Sequence, residues 1–197
     1  MTDAARAEQT ARNLLSESLP RRWAHVQGVA ATARTLAPVL GPDADLVTAA
    51  AWLHDIGYAP ALADTGFHPL DGARFLRDTE HADAELCRLV AYHSGAINEA
   101  DERGLAAELT REFRPARRDL SDALIYCDMT TGPDGQRTTV EQRLAEIQAR
   151  YGPEDPVSRA IARSAPLFTT AVTRLTRRLA QCNMPPPRRA AARACPA

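Results

Sequence analysis

The sequence predicts an all-α fold, a single-domain helical bundle, and three observations support it. Apolar residues recur at three- and four-residue spacing along nearly the whole chain. No stretch alternates apolar and polar residues as a half-buried strand would. Prolines and glycines fall between the periodic segments, where they end or begin helices.

The first helix is predicted from residue 3 to about 18, stopped by Pro20, and a second from 22 to 40, stopped by Gly41-Pro42. A third starts with Asp43 as N-cap and ends near Gly57. Pro69 occupies a favoured first helical position and opens a fourth helix to about Arg77. A fifth covers 83–93 and breaks near Gly95. Residues 98–104 read as a loop or short turn, and 105–113 as a weak helix ended by Pro115. A strong helix follows over 119–128, then a turn over 130–137 rich in Gly, Pro and Asp. Helices over 139–151 and 157–181 complete the domain, the last one bent or interrupted by Pro166. The domain is placed at 1–183, and 184–197, rich in Pro, Arg and Ala, reads as a disordered tail.

The chain has 197 residues, 45% of them hydrophobic, enough for one domain with a substantial core. Its 24 basic and 25 acidic residues are interleaved and give a net charge of −1, which argues against general nucleic-acid binding. Every basic residue is arginine, so a Schiff-base lysine and a phosphate-loop lysine are both excluded. Cys87, Cys127, Cys182 and Cys195 form no close pair, as expected of reduced thiols in the cytoplasm. The first ten residues are polar, no signal peptide is expected, and no run approaches the roughly 20 apolar residues that span a membrane.

Polar residues at the ends of apolar stripes carry the functional signal. His25 precedes Val29, Ala33 and Leu36 on the second helix. His54 ends the stripe of Val47 and Ala50, His93 that of Leu86 and Leu89 or Val90, and Asp128 that of Leu120 and Leu124. A buried imidazole or carboxylate costs several kcal/mol unless it is paired, neutral or bound to a metal. A lone histidine on an apolar face is more often a satisfied core residue than a ligand. Four stripes ending this way are explained together if their ends meet at one ion, whose ligands would suit zinc, manganese, iron or nickel. Asp55 adjoins His54, and helix neighbours point about 100° apart. They can serve one ion only near a helix end, which Gly57 supplies. His68 is an N-cap candidate before Pro69, whereas His81 reads as a solvated bystander.

The order His25, His54-Asp55, Asp128, with the string His54-Asp55-Ile56-Gly57, resembles the HD-domain superfamily of metal-dependent phosphohydrolases over about residues 22–130. His68, in His-Pro-Leu-Asp-Gly-Ala, and His93, in Ala-Tyr-His-Ser-Gly, resemble the two further histidines of its two-metal members. These strings are similar to those of bacterial HD hydrolases of dinucleoside polyphosphates. The Gly-Tyr-Pro motif of the cyclic-di-GMP phosphodiesterases is absent after His93.

The resemblance implies an HD-type bundle holding one or two divalent transition metals (Mn, Fe, Ni, Co or Zn). His25, His54 and Asp128 would hold one ion and His68 and His93 the other, with Asp55 between them. It implies hydrolysis of a phosphate ester or anhydride in a nucleotide or other small phosphorylated metabolite, with Asp55, His68 and His93 as catalytic residues. With no lysine, positive charge for the phosphate must come from arginines, so Arg21, Arg22 and Arg137 are candidates. Thr131 is a further substrate-binding candidate, in the turn that leads to a helix N-terminus near Thr139. Two other readings stay open: an HD-type di-iron oxygenase, and a non-catalytic nucleotide-binding module.

Overall fold

A computed structural model describes residues 3–182. Eleven α-helices lie within it, and it contains no strand, only an isolated bridge between Thr131 and Arg137. The helices are α1 (Ala4–Leu15), α2 (Pro20–Arg34), α3 (Ala37–Leu40), α4 (Ala44–Leu53), α5 (His68–Asp78) and α6 (Ala84–Ala91). Then come α7 (Ala96–Glu102), α8 (Ala106–Glu112), α9 (Arg118–Met129), α10 (Val140–Tyr151) and α11 (Pro156–Cys182). None of the described helices is long and apolar enough to cross a membrane. Residues 184–197, assigned to a C-terminal tail, lie outside the described ones.

α4 is the centre of the molecule. Every residue from Val47 to Leu53 is buried, and the helix packs against α1, α2, α6 and α9. It is apolar all round because it has neighbours all round. A second apolar cluster, with Ile125, Met129, Ile147 and Phe168, joins α9, α10 and α11. The metal-capable residues sit between these two bodies.

Several boundaries differ from those predicted. α2 begins at Pro20, which serves as its first residue rather than as a stop between helices. The helix expected to reach residue 40 breaks at Thr35-Leu36 and resumes as the short α3. Residues 96–102 form α7, not a loop, and pack on α11. Pro166 does not interrupt α11. Pro166 and Ala162 are both exposed, so the carbonyl left without a helical partner faces solvent.

Candidate metal centre

Five of the six side chains stand where a helix starts or ends. His25 is the exception in position only, lying one turn inside α2. His54 caps the C-terminus of α4, and Asp55 has already left helical geometry, with φ −104° and ψ 5°. That departure lets neighbours 54 and 55 converge on one place. A 3₁₀ turn, Ile56–Tyr58, then packs on the start of α5. A Cβ on Gly57 would collide with the carbonyl of His68, so only glycine permits this approach. His68 opens α5, His93 opens a 3₁₀ turn after α6, and Asp128 lies one residue from the end of α9.

All six are buried, and they form two trios, His25–His54–Asp128 and Asp55–His68–His93, each able to hold one ion. Asp55 faces both. Its Oδ2 lies 3.4 Å from His54 Nε2 and 3.8 Å from His25 Nε2. Its Oδ1 lies 3.4 Å from His68 Nε2 and 3.7 Å from His93 Nε2. His25 Nε2 is also 3.0 Å from Asp128 Oδ1.

Three backbone carbonyls set the direction of the imidazoles. Nδ1 of His25 meets the carbonyl of Gly132 at 2.9 Å, that of His54 meets Ala51 at 2.9 Å, and that of His93 meets Val90 at 2.7 Å. A carbonyl only accepts, so each Nδ1 carries a proton and each ring turns its Nε2 inward. His54 Nε2 is buried with no hydrogen-bond partner. His68 Nε2 and His93 Nε2 face each other at 3.1 Å and need a proton or a cation between them. An orphaned buried nitrogen, convergent lone pairs and two carboxylates fit a divalent metal.

The charges agree with this. Burial alone would raise the Asp55 carboxyl, but Arg22 and His54 hold it well below the usual range. Asp128 is likewise held low, by His25, His54 and Arg143 against its burial. Burial pushes His68 down, and with the neighbouring His68 and His54 it pushes His93 to about 4. His54 goes the other way, because Asp55 and Asp128 outweigh its burial.

Arg22 reaches the centre and Arg21 does not. Arg22 Nη1 donates to Asp55 Oδ2 at 2.7 Å, with its guanidinium 4.1 Å over the ring of Tyr58. Tyr58 in turn stacks on His68, with ring centroids 3.8 Å apart. Arg21 pairs with Asp134 at the surface. A cavity of about 60 Å³, enough for several water-sized groups, opens onto Asp55, His68, His93 and Asp128, with Arg22, Tyr58, Arg143 and Arg150 in its wall.

Arg137 and Thr131 are not brought to this cavity. Thr131 is fully buried, with its hydroxyl donating to the Cys127 carbonyl at 2.8 Å. Arg137 bonds to Thr32 and Thr130 on another side of α9. The turn that carries them is drawn onto α2 by Gly28 and Gly135, where a Cβ on either would meet backbone. This packing delivers the Gly132 carbonyl to His25, so the turn orients a candidate ligand.

Sequence reasoning missed Tyr58, Ser94, Arg143 and Arg150. Ser94 donates a short hydrogen bond to Asp128 Oδ2. Arg143 is buried, lies 3.8 Å from Asp128 Oδ1, and leaves its Nε without a partner. Buried polar positions on α10 were the available signal: Arg143 lies between Val140 and Ile147 on the apolar face.

The family model described as HD domain matches residues 22–148, more than half of the chain. No curated protein and no solved structure matches.

Proposed function

The chain belongs to the HD domain family, and from that premise we propose that it is a metal-dependent phosphohydrolase acting on a nucleotide or other small phosphorylated metabolite. The observation that carries the reading is Asp55, whose two oxygens are divided between two complete trios. No ligand is missing from either trio, which speaks against a module that has lost its catalytic role.

In this reading His25, His54 and Asp128 would hold one divalent ion and His68 and His93 a second, with Asp55 available to both. Such ions supply two things: a water acidic enough to ionise near neutral pH, and polarisation of a phosphoryl oxygen. The protein supplies the rest. Asp55, whose carboxyl stays ionised beside Arg22, orients the attacking water. Arg22 is already within reach of Asp55 and carries charge to the phosphoryl oxygens at the cavity wall. Arg143 adds a second guanidinium with a free Nε. His68 and His93, kept neutral by burial, offer unprotonated ring nitrogens as ligands. Tyr58, between Arg22 and His68, keeps both at their posts.

The test is phosphate release from a panel of nucleotides and sugar phosphates with Mn²⁺, in the wild type and in Asp55→Asn. Turnover in the wild type and its loss in the variant are expected. Turnover unchanged in Asp55→Asn would overturn the assignment. Oxygen consumption with iron and no phosphate release would replace hydrolysis with oxygenase chemistry.

A further inference from the structure

Ser94 adopts φ 45° and ψ 42°, a left-handed conformation unfavourable for a residue with a Cβ. The next residue, Gly95, is left-handed too, at φ 73°. A Cβ on Gly95 would run into Ser164 of α11, and Ser164 is itself buried and accepts from Asn98 Nδ2 at 2.7 Å. The turn is therefore clamped by α11 in a shape that serine does not choose. Such backbone outliers persist when the surroundings over-determine them, and they cluster at functional sites.

The conformation has a visible consequence. It puts the Ser94 hydroxyl on Asp128 Oδ2. That leaves Oδ1 for the interior, where it faces His25 Nε2 at 3.0 Å. The residue before Ser94 is His93, whose ring is fixed by the Val90 carbonyl at 2.7 Å. One rigid turn thus carries a member of the second trio and orients a member of the first.

We propose that Ser94 is a positioning residue for both halves of the metal centre, its hydroxyl orienting Asp128 in the first trio and its clamped turn presenting His93 in the second. This rests on the two-ion reading of the site. The hydroxyl divides the two oxygens of Asp128, one to Ser94 and one inward. The turn already holds His93 in place, so hydroxyl and backbone together prepare both trios before any ion is bound.

Mn²⁺ alone is the probe, followed by electron paramagnetic resonance during titration of the wild type, Ser94→Ala and Ser94→Gly. Ser94→Gly is decisive because it relaxes the backbone while removing the hydroxyl. The wild type should fill both sites and show the signal of spin-coupled pairs at two equivalents of Mn²⁺. Both variants should bind about tenfold or more weakly, as when the partner of a metal ligand is lost. Far-UV circular dichroism should stay unchanged. A wild type with two Mn²⁺ ions and a Ser94→Gly variant with the same affinity and paired signal would overturn the proposal and leave the metal centre standing. Weakening of one ion with the other unaffected would also overturn it. A wild type that binds no Mn²⁺ would overturn both readings together.

Discussion

His68 Nε2 and His93 Nε2 stand 3.1 Å apart in a buried site, and Asp55 Oδ1 lies within 3.7 Å of each. Two neutral imidazoles cannot both point lone pairs across that gap without a proton or cation between them. A ligand bound only by the folded state stabilises it, by about 2.7 kcal/mol at a hundred times its dissociation constant. Addition of Mn²⁺ to chelator-treated protein is therefore expected to raise Tm by roughly 5–10 °C for a domain of this size. His93→Ala should reduce that rise, as read by thermal unfolding with and without the metal.

The metal-free protein should lose stability as pH falls from 6.5 to 4. His93 is pushed down to about 4 and His68 is also lowered, so over this window the unfolded chain binds more protons than the folded one. His54 is raised, and its contribution is fully present below 6.5, so it does not offset the slope. Below the ordinary aspartate range, Asp55 and Asp128 extend the loss, because both are held low in the folded state. Denaturant titrations of chelator-treated protein at pH 4.5 and 6.5 measure it. A higher midpoint at 4.5 would contradict the assignment of neutral, buried imidazoles.

Gly57→Ala should be costly although the new side chain is a single methyl. Its Cβ would collide with the His68 carbonyl at the start of α5. Overpacking of this kind costs about 1–3 kcal/mol. It would also push His68 away from Asp55, so Tm and Mn²⁺ affinity should fall together. Gly41→Ala tests backbone strain alone, because its φ is 55° and no atom stands near its Cβ. It should lower Tm without altering Mn²⁺ affinity.

Arg22 and Arg137 should separate cleanly in steady-state kinetics. Arg22 lines the cavity and touches Asp55. Arg22→Met is expected to lower kcat/KM by about 10²–10³-fold, the loss typical of a donor aimed at developing charge. Arg137 bonds to Thr32 and Thr130 away from the cavity. Arg137→Met should leave KM unchanged, and a large rise in KM there would restore Arg137 to the substrate site.

The six candidate metal residues were legible in the sequence because each ends an apolar stripe or belongs to a recognisable string. The stripe reports which face is buried, and the polar residue at its end reports that something must compensate it. Asp55 was the hard case. Helical periodicity points it away from His54, and only its departure from helical geometry after α4 brings both to one centre. Arg137 and Thr131 misled because a turn before a helix N-terminus is a good anion site in general. Here Gly28 and Gly135 let that turn collapse onto α2, which buries Thr131 and turns Arg137 aside. Ser94 and Tyr58 left no trace in periodicity. Their roles come from a left-handed turn and a stacked ring, which depend on contacts distant in sequence. Pro166 shows the reverse error, a helix breaker tolerated because its freed carbonyl faces solvent.

The most direct test of the central claim is the metal stoichiometry of the protein after reconstitution and dialysis, measured by elemental analysis for the wild type and Asp55→Ala. The shared carboxylate implies about two ions per chain in the wild type and loss of at least one in the variant, with helicity retained. A wild type that retains no metal, or a variant that retains the full complement, would contradict it.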